Sequence, residues 1–126
     1  MTNTRVSDQC EVTLLPERSD VVARLSGVGE KYKFKLDIFS KCFSCKNGNL
    51  VSIMWMEDLN NKEELKIRDQ YDVVMNGQIF HYDFDRHFAC ISFGGLVMEI
   101  EGNEEDMAFF SKKKKYIMCF LKNESQ

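Results

Sequence analysis

Residues 69–80 read Asp-Gln-Tyr-Asp-Val-Val-Met-Asn-Gly-Gln-Ile-Phe, and residues 88–102 read Phe-Ala-Cys-Ile-Ser-Phe-Gly-Gly-Leu-Val-Met-Glu-Ile-Glu-Gly. Short apolar runs bracket a glycine step in both. Tyr71–Met75 and Gln78–Tyr82 flank Asn76-Gly77, and His87–Phe93 and Leu96–Glu101 flank Gly94-Gly95. Asn-Gly between two apolar runs is a strong hairpin signal, because a type I′ turn needs positive φ at both central residues. The stretch predicts antiparallel strands joined by glycine turns.

Upstream, Lys31–Phe39 alternates cleanly. Tyr32, Phe34, Leu36 and Ile38 fall on one face, and Lys31, Lys33, Lys35 and Asp37 on the other. Period two with a charged partner face marks a half-buried antiparallel strand. Cys10–Leu15, closed by Pro16, reads as a first strand, and Val21–Leu25 as a second, followed by a turn at Gly27-Val28-Gly29. Lys46-Asn47-Gly48-Asn49 reads as a turn in which glycine supplies positive φ. Leu50–Met56 is apolar on both faces and predicts a central strand. Glu57–Arg68 is polar and reads as a solvated loop, with at most a helical turn at Lys62–Leu65. Tyr116–Lys122 closes the pattern as a strand buried on both sides. About seven or eight strands with short turns predict an all-β, closed antiparallel barrel, which leaves no sheet edge exposed.

The 126 residues suffice for one domain with its own core, 1–126, with residues 1–9 expected as a flexible N-terminus. Ten phenylalanines and four tyrosines favour sheet. One proline and no low-complexity segment leave no visible linker. The net charge is −3, against the basic excess of most nucleic-acid binders, and the only basic run, Lys112–Lys115, follows the acidic stretch Glu99–Asp106. The N-terminus has no apolar targeting core, and no apolar run approaches the ~20 residues of a membrane span. The chain reads as soluble and intracellular, with its five cysteines reduced.

No constellation of catalytic residues converges. Cys42-Phe43-Ser44-Cys45 is a single C-x-x-C, whereas a structural zinc site needs four ligands. Cys42 keeps phase with Phe34, Leu36 and Ile38 and reads as a small core residue; no metal and no cofactor are expected. His81 and His87 read as half-exposed strand residues. Ser92 sits within a strand, away from any nucleophile elbow. Asp83-Phe84-Asp85-Arg86 joins two strands, where Asp bonds its own backbone. In Tyr32-Lys33-Phe34-Lys35 the alternation separates aromatics from lysines, against the single groove that base stacking needs.

The motifs resemble a known family. Val12, Leu15-Pro16, Asp20-Val21-Val22-Ala23-Arg24-Leu25 and Phe34-Lys35-Leu36-Asp37-Ile38 are similar, in order and spacing, to the first half of the small subunit shared by eukaryotic RNA polymerases I, II and III. Asp69 to Phe80 and Ser92 to Gly102 resemble that family's D-Q-[FY] and S-[YF]-G-G-L-L-M blocks more closely, and Tyr116–Lys122 resembles its final strand loosely. The chain departs from the pattern at 57–68, where the family has a longer acidic, proline-containing loop, and between Tyr82 and His87, which is short. The resemblance implies an eight-stranded OB-like barrel and a non-catalytic, nuclear assembly subunit. Its expected partners are the largest polymerase subunit and its neighbours, with no sequence-specific nucleic acid contact. The expected partner-binding residues are Gly94, Gly95, Leu96, Val97 and Met98. The contrasting reading is a free-standing OB-type module for single-stranded nucleic acid.

Overall fold

The computed structural model describes residues 5–16, 19–57, 67–112 and 115–125. Its strands are β1 (Arg5–Leu14), β2 (Val22–Gly29), β3 (Tyr32–Phe39), β4 (Leu50–Glu57), β5 (Val73–Asp83), β6 (Phe88–Phe93), β7 (Leu96–Gly102) and β8 (Tyr116–Asn123). They close into one antiparallel barrel in the order β1-β2-β3-β7-β6-β5-β8-β4. The predicted all-β barrel is therefore the observed fold.

Alternation places the core. Tyr32, Phe34, Leu36 and Ile38 all point inward and are buried, as their phase predicts. Trp55 of β4 stands at the centre, with the rings of Tyr32, Phe110 and Phe34 set edge-on at 5.1, 5.3 and 6.5 Å. Its Nε1–H donates to Met98 Sδ at 3.4 Å. An eight-stranded barrel is just wide enough for side chains to fill, and here aromatic rings fill it.

One barrel end is plugged by an element that the acidic composition of Glu99–Asp106 concealed. Asn103 caps a short helix, Glu104–Met107, its Oδ1 accepting from the Asp106 amide at 2.7 Å. A 3₁₀ turn, Ala108–Phe110, follows, and Met107, Phe109 and Phe110 are buried. The Tyr32 hydroxyl donates to the Asp106 carbonyl at 2.8 Å and ties the plug to β3.

β8 is buried from Ile117 to Leu121 because both its faces are covered. Ile117, Cys119 and Leu121 face the barrel core. Met118 and Phe120 join Met54 in a second apolar cluster outside the wall, covered by Ile67 and Tyr71, with the Tyr71 ring 5.4 Å from Phe120. The helical turn expected at Lys62–Leu65 lies outside the described residues.

Four local expectations are corrected. Asn76-Gly77 makes no hairpin. Both residues lie inside β5, because β8 pairs with Val73 through Gln78 and carries the strand straight on. The glycines with positive φ are Gly48, Gly94 and Gly95, so Gly77 holds an ordinary strand conformation. Gly27-Val28-Gly29 is likewise strand, paired with β1 and β3, and β2 runs on to Gly29. β1 begins at Arg5, so residues 5–9 of the segment expected to be flexible are paired with β4. Cys42 is exposed, because β3 stops at Phe39 and a turn closed by the Cys42 amide on the Phe39 carbonyl breaks the phase; Phe43 takes the buried place.

Candidate functional site

The Gly94-Gly95 hairpin forms as expected, joining β6 to β7 with φ of 63° and 100°. Left-handed backbone at both positions explains the glycine pair. A Cβ added at either would meet nothing within 4 Å, so both positions open on free space. The following residues do not share one surface. Leu96 packs half-buried against the core, Val97 is half-buried on the alternate, outward face, and Met98 lies fully buried inside against Trp55. Met98 therefore cannot touch a partner directly. Strand pleating sends neighbours to opposite faces, and a run of consecutive residues is not a patch.

Beside the hairpin, Asp37 of β3 reaches across to both neighbours. One carboxylate oxygen accepts from Arg24 Nε of β2 at 2.8 Å, the other from the Val97 amide of β7 at 3.3 Å. Further along the same outer face, Lys35 stands opposite Glu99 and Lys33 opposite Glu101. Opposite charges at cross-strand positions attract, so the exposed Lys33 and Lys35 each stand across from a carboxylate. Arg86 lies over the Phe88 ring at 4.6 Å at the edge of this face.

Lys115 is a structural residue. Its Nζ sits 2.7 Å from Glu57 Oε1, donates to the Phe109 carbonyl at 2.9 Å and lies 3.8 Å above the Phe109 ring. Of the basic run, Lys113 and Lys114 lie outside the described residues.

The cysteines gather no site. Cys10 and Cys119 are buried in the wall, and Cys45 and Cys90 are half-buried. Burial pushes the Cys10 thiol up to about 12, the Asp8 carboxylate adding to the shift, and burial raises Cys45, Cys90 and Cys119 as well. Among the described residues no three Cys, His, Asp or Glu side chains cluster as metal ligands. His81 is exposed beside a bulge in β5, and His87 occupies a turn with φ of 48°, ahead of β6 rather than within it. Asp83 Oδ1 accepts from the Asp85 and Arg86 amides, as its place between two strands implies.

The family is decided by the match of the whole barrel. The profile of the RNA polymerase Rpb8 family covers residues 8–122, from β1 into β8. The chain belongs to the RNA polymerase Rpb8 family. It is a subunit-type β-barrel of a multisubunit transcription enzyme. A comparison with curated proteins finds no match. Among the described residues no helix is long and apolar enough to cross a membrane.

Several aromatics of the chain are exposed. Phe39, Phe80, Phe84 and Tyr116 all face out. Tyr116, expected to begin a strand buried on both sides, instead lies opposite Gln78 and is exposed. No signal in the local pattern separates an outward aromatic from an inward one when both flanks of a strand are apolar.

Proposed function

We propose that this Rpb8-family chain is a non-catalytic assembly subunit shared by the nuclear RNA polymerases I, II and III, and that it docks on the largest polymerase subunit. The observation that carries the reading is the family match across residues 8–122, joined to a barrel whose interior is filled by Trp55, Tyr32, Phe34 and Phe110. A filled barrel offers its outer surface and its rims to a partner. Within that surface we assign the docking contact to the Gly94-Gly95 tip with Leu96 and Val97. Both glycines open on free space, and their bare backbone permits close approach.

The nucleic-acid module gains little from the same surface. Its groove needs basic residues and aromatics on one face, whereas Lys33 and Lys35 oppose Glu101 and Glu99 and the intervening Phe34 is buried.

Affinity purification of the tagged chain tests the reading. Recovery of the large polymerase subunits from all three enzymes is the expected result. Recovery of short nucleic acid without them overturns it.

A further inference from the structure

The barrel is closed, but its strands are staggered, and among the described residues a stretch of β5 has a strand partner on only one side. β5 pairs with β8 from Val73 to Gln78, and with β6 only from Gln78 to Asp83. β6 ends at Phe93, and the chain turns back at Gly94-Gly95. Among the described residues no strand pairs with Val73–Gly77 on the β6 side, although Ser92 and Phe93 of β6 close on Gly77 itself.

Strand backbone groups point alternately to the two neighbours. Ile79 donates its amide to the Lys115 carbonyl, on the β8 side. Counting back in twos, Gly77, Met75 and Val73 face β8, and Val74 and Asn76 direct their N–H and C=O groups into the gap. Val74 packs its side chain on the outer apolar cluster, and Asn76 is exposed.

Two other staggered openings are stitched by carboxylates. At the N-terminal half of β1, Asp8 Oδ2 accepts from the Lys31 and Tyr32 amides at 3.0 and 3.1 Å. At the end of β3, Asp37 accepts the Val97 amide. Among the described residues nothing comparable closes the β5 edge. Val-Val-Met-Asn-Gly also carries no proline and no charge, the usual guards of an exposed strand edge.

We propose that Val73–Gly77 is a strand-addition site, where an extended segment of a larger polymerase subunit pairs with the free backbone of Val74 and Asn76 beside the Gly94-Gly95 tip. Main-chain pairing supplies the affinity in this mode, and alternate side chains supply the specificity. The incoming strand places an uncharged apolar residue over Met75 and Leu96, which are half-buried against the barrel core. This deepens, and rests on, the reading of the chain as a docked polymerase subunit.

The test is Asn76→Pro in the full chain, with Asn76→Ala beside it. Proline removes the amide that faces the gap and obstructs an incoming strand, but takes nothing from the β8 ladder. Recovery of the large subunits falls about tenfold or more for Asn76→Pro and stays at the wild-type level for Asn76→Ala. Hydrogen exchange on the wild-type chain gives a second reading that needs no variant to fold: the Val74 and Asn76 amides exchange freely in the isolated subunit and are protected in purified polymerase. The proposal is overturned if a folded Asn76→Pro assembles normally, if Asn76→Ala is equally defective, or if those amides exchange alike in both states. Protection in the isolated chain that grows with its concentration overturns it in favour of a second copy as the occupant. Failure of the wild-type chain to recover polymerase defeats the docking reading itself and is seen separately.

Discussion

Gly77→Ala separates a strand glycine from a turn glycine by magnitude. A Cβ at position 77 would lie 2.5 Å from the Ser92 carbonyl oxygen and 2.5 and 2.8 Å from atoms of the Phe93 ring. Ordinary contacts begin near 3.4 Å. The Ser92 carbonyl belongs to the β6 backbone and does not yield. Overpacking of this kind costs about 1–3 kcal/mol, and a backbone obstacle puts the cost near the upper end. Replacing glycine by alanine in a strand returns about 0.5–1 kcal/mol through the unfolded chain. The net loss is about 2 kcal/mol, equivalent to a fall in Tm of about 8 °C for a domain of this size. Gly94→Ala is the comparison. Its φ of 63° strains an L-residue by about 1 kcal/mol, and its Cβ meets nothing. Thermal unfolding of the two purified variants, followed by circular dichroism, is the assay. If Gly77→Ala melts at or above Gly94→Ala, position 77 is not packed against β6 and the reasoning fails.

Gly95→Arg, at a free tip with φ of 100°, loses on the order of 1 kcal/mol of stability but fails to co-purify with the largest polymerase subunit. A cooperative melt combined with normal assembly would move the docking face elsewhere. Lys115→Met leaves Glu57 and the Phe109 carbonyl without their cation and lowers stability by about 2 kcal/mol, read as the shift in a urea unfolding curve. The Cys10 thiol is raised from 9.0 to about 12 by burial and then by Asp8, and Tyr32 is raised by burial and then by Asp106 and Asp8. The folded state thus holds protons that the unfolded chain releases, so this stability is complete below pH 9.0 and is lost as pH climbs towards about 12. The urea midpoint should fall between pH 7 and pH 10, and an unchanged midpoint would contradict the buried placement. A thiol reagent near neutral pH should modify exposed Cys42 first and reach Cys10 and Cys119 only on unfolding. Equal rates at all sites would mean an open barrel.

What the sequence determined by itself was local and periodic. Lys31–Phe39 declared its strand and its buried face, because a side-chain period of two needs no knowledge of the partner. Gly94-Gly95 declared its turn, because few other residues accept left-handed backbone twice in succession. The blocks at Asp69 to Phe80 and Ser92 to Gly102 carried the family. Non-local pairing decided the rest. Asn76-Gly77 carries the same turn chemistry as a hairpin, yet β8, arriving from far along the chain, holds it extended. The acidic segment after β7 looks solvated residue by residue, yet Met107, Phe109 and Phe110 close the barrel, because only the assembled barrel has an end to plug. For the candidate site, the sequence located the glycine tip. Only the closed wall showed that Met98 points inward and that, among the described residues, no strand pairs with Val74 and Asn76 on the β6 side. A strand's free edge is a property of the strands beside it, and no local pattern of side chains encodes it.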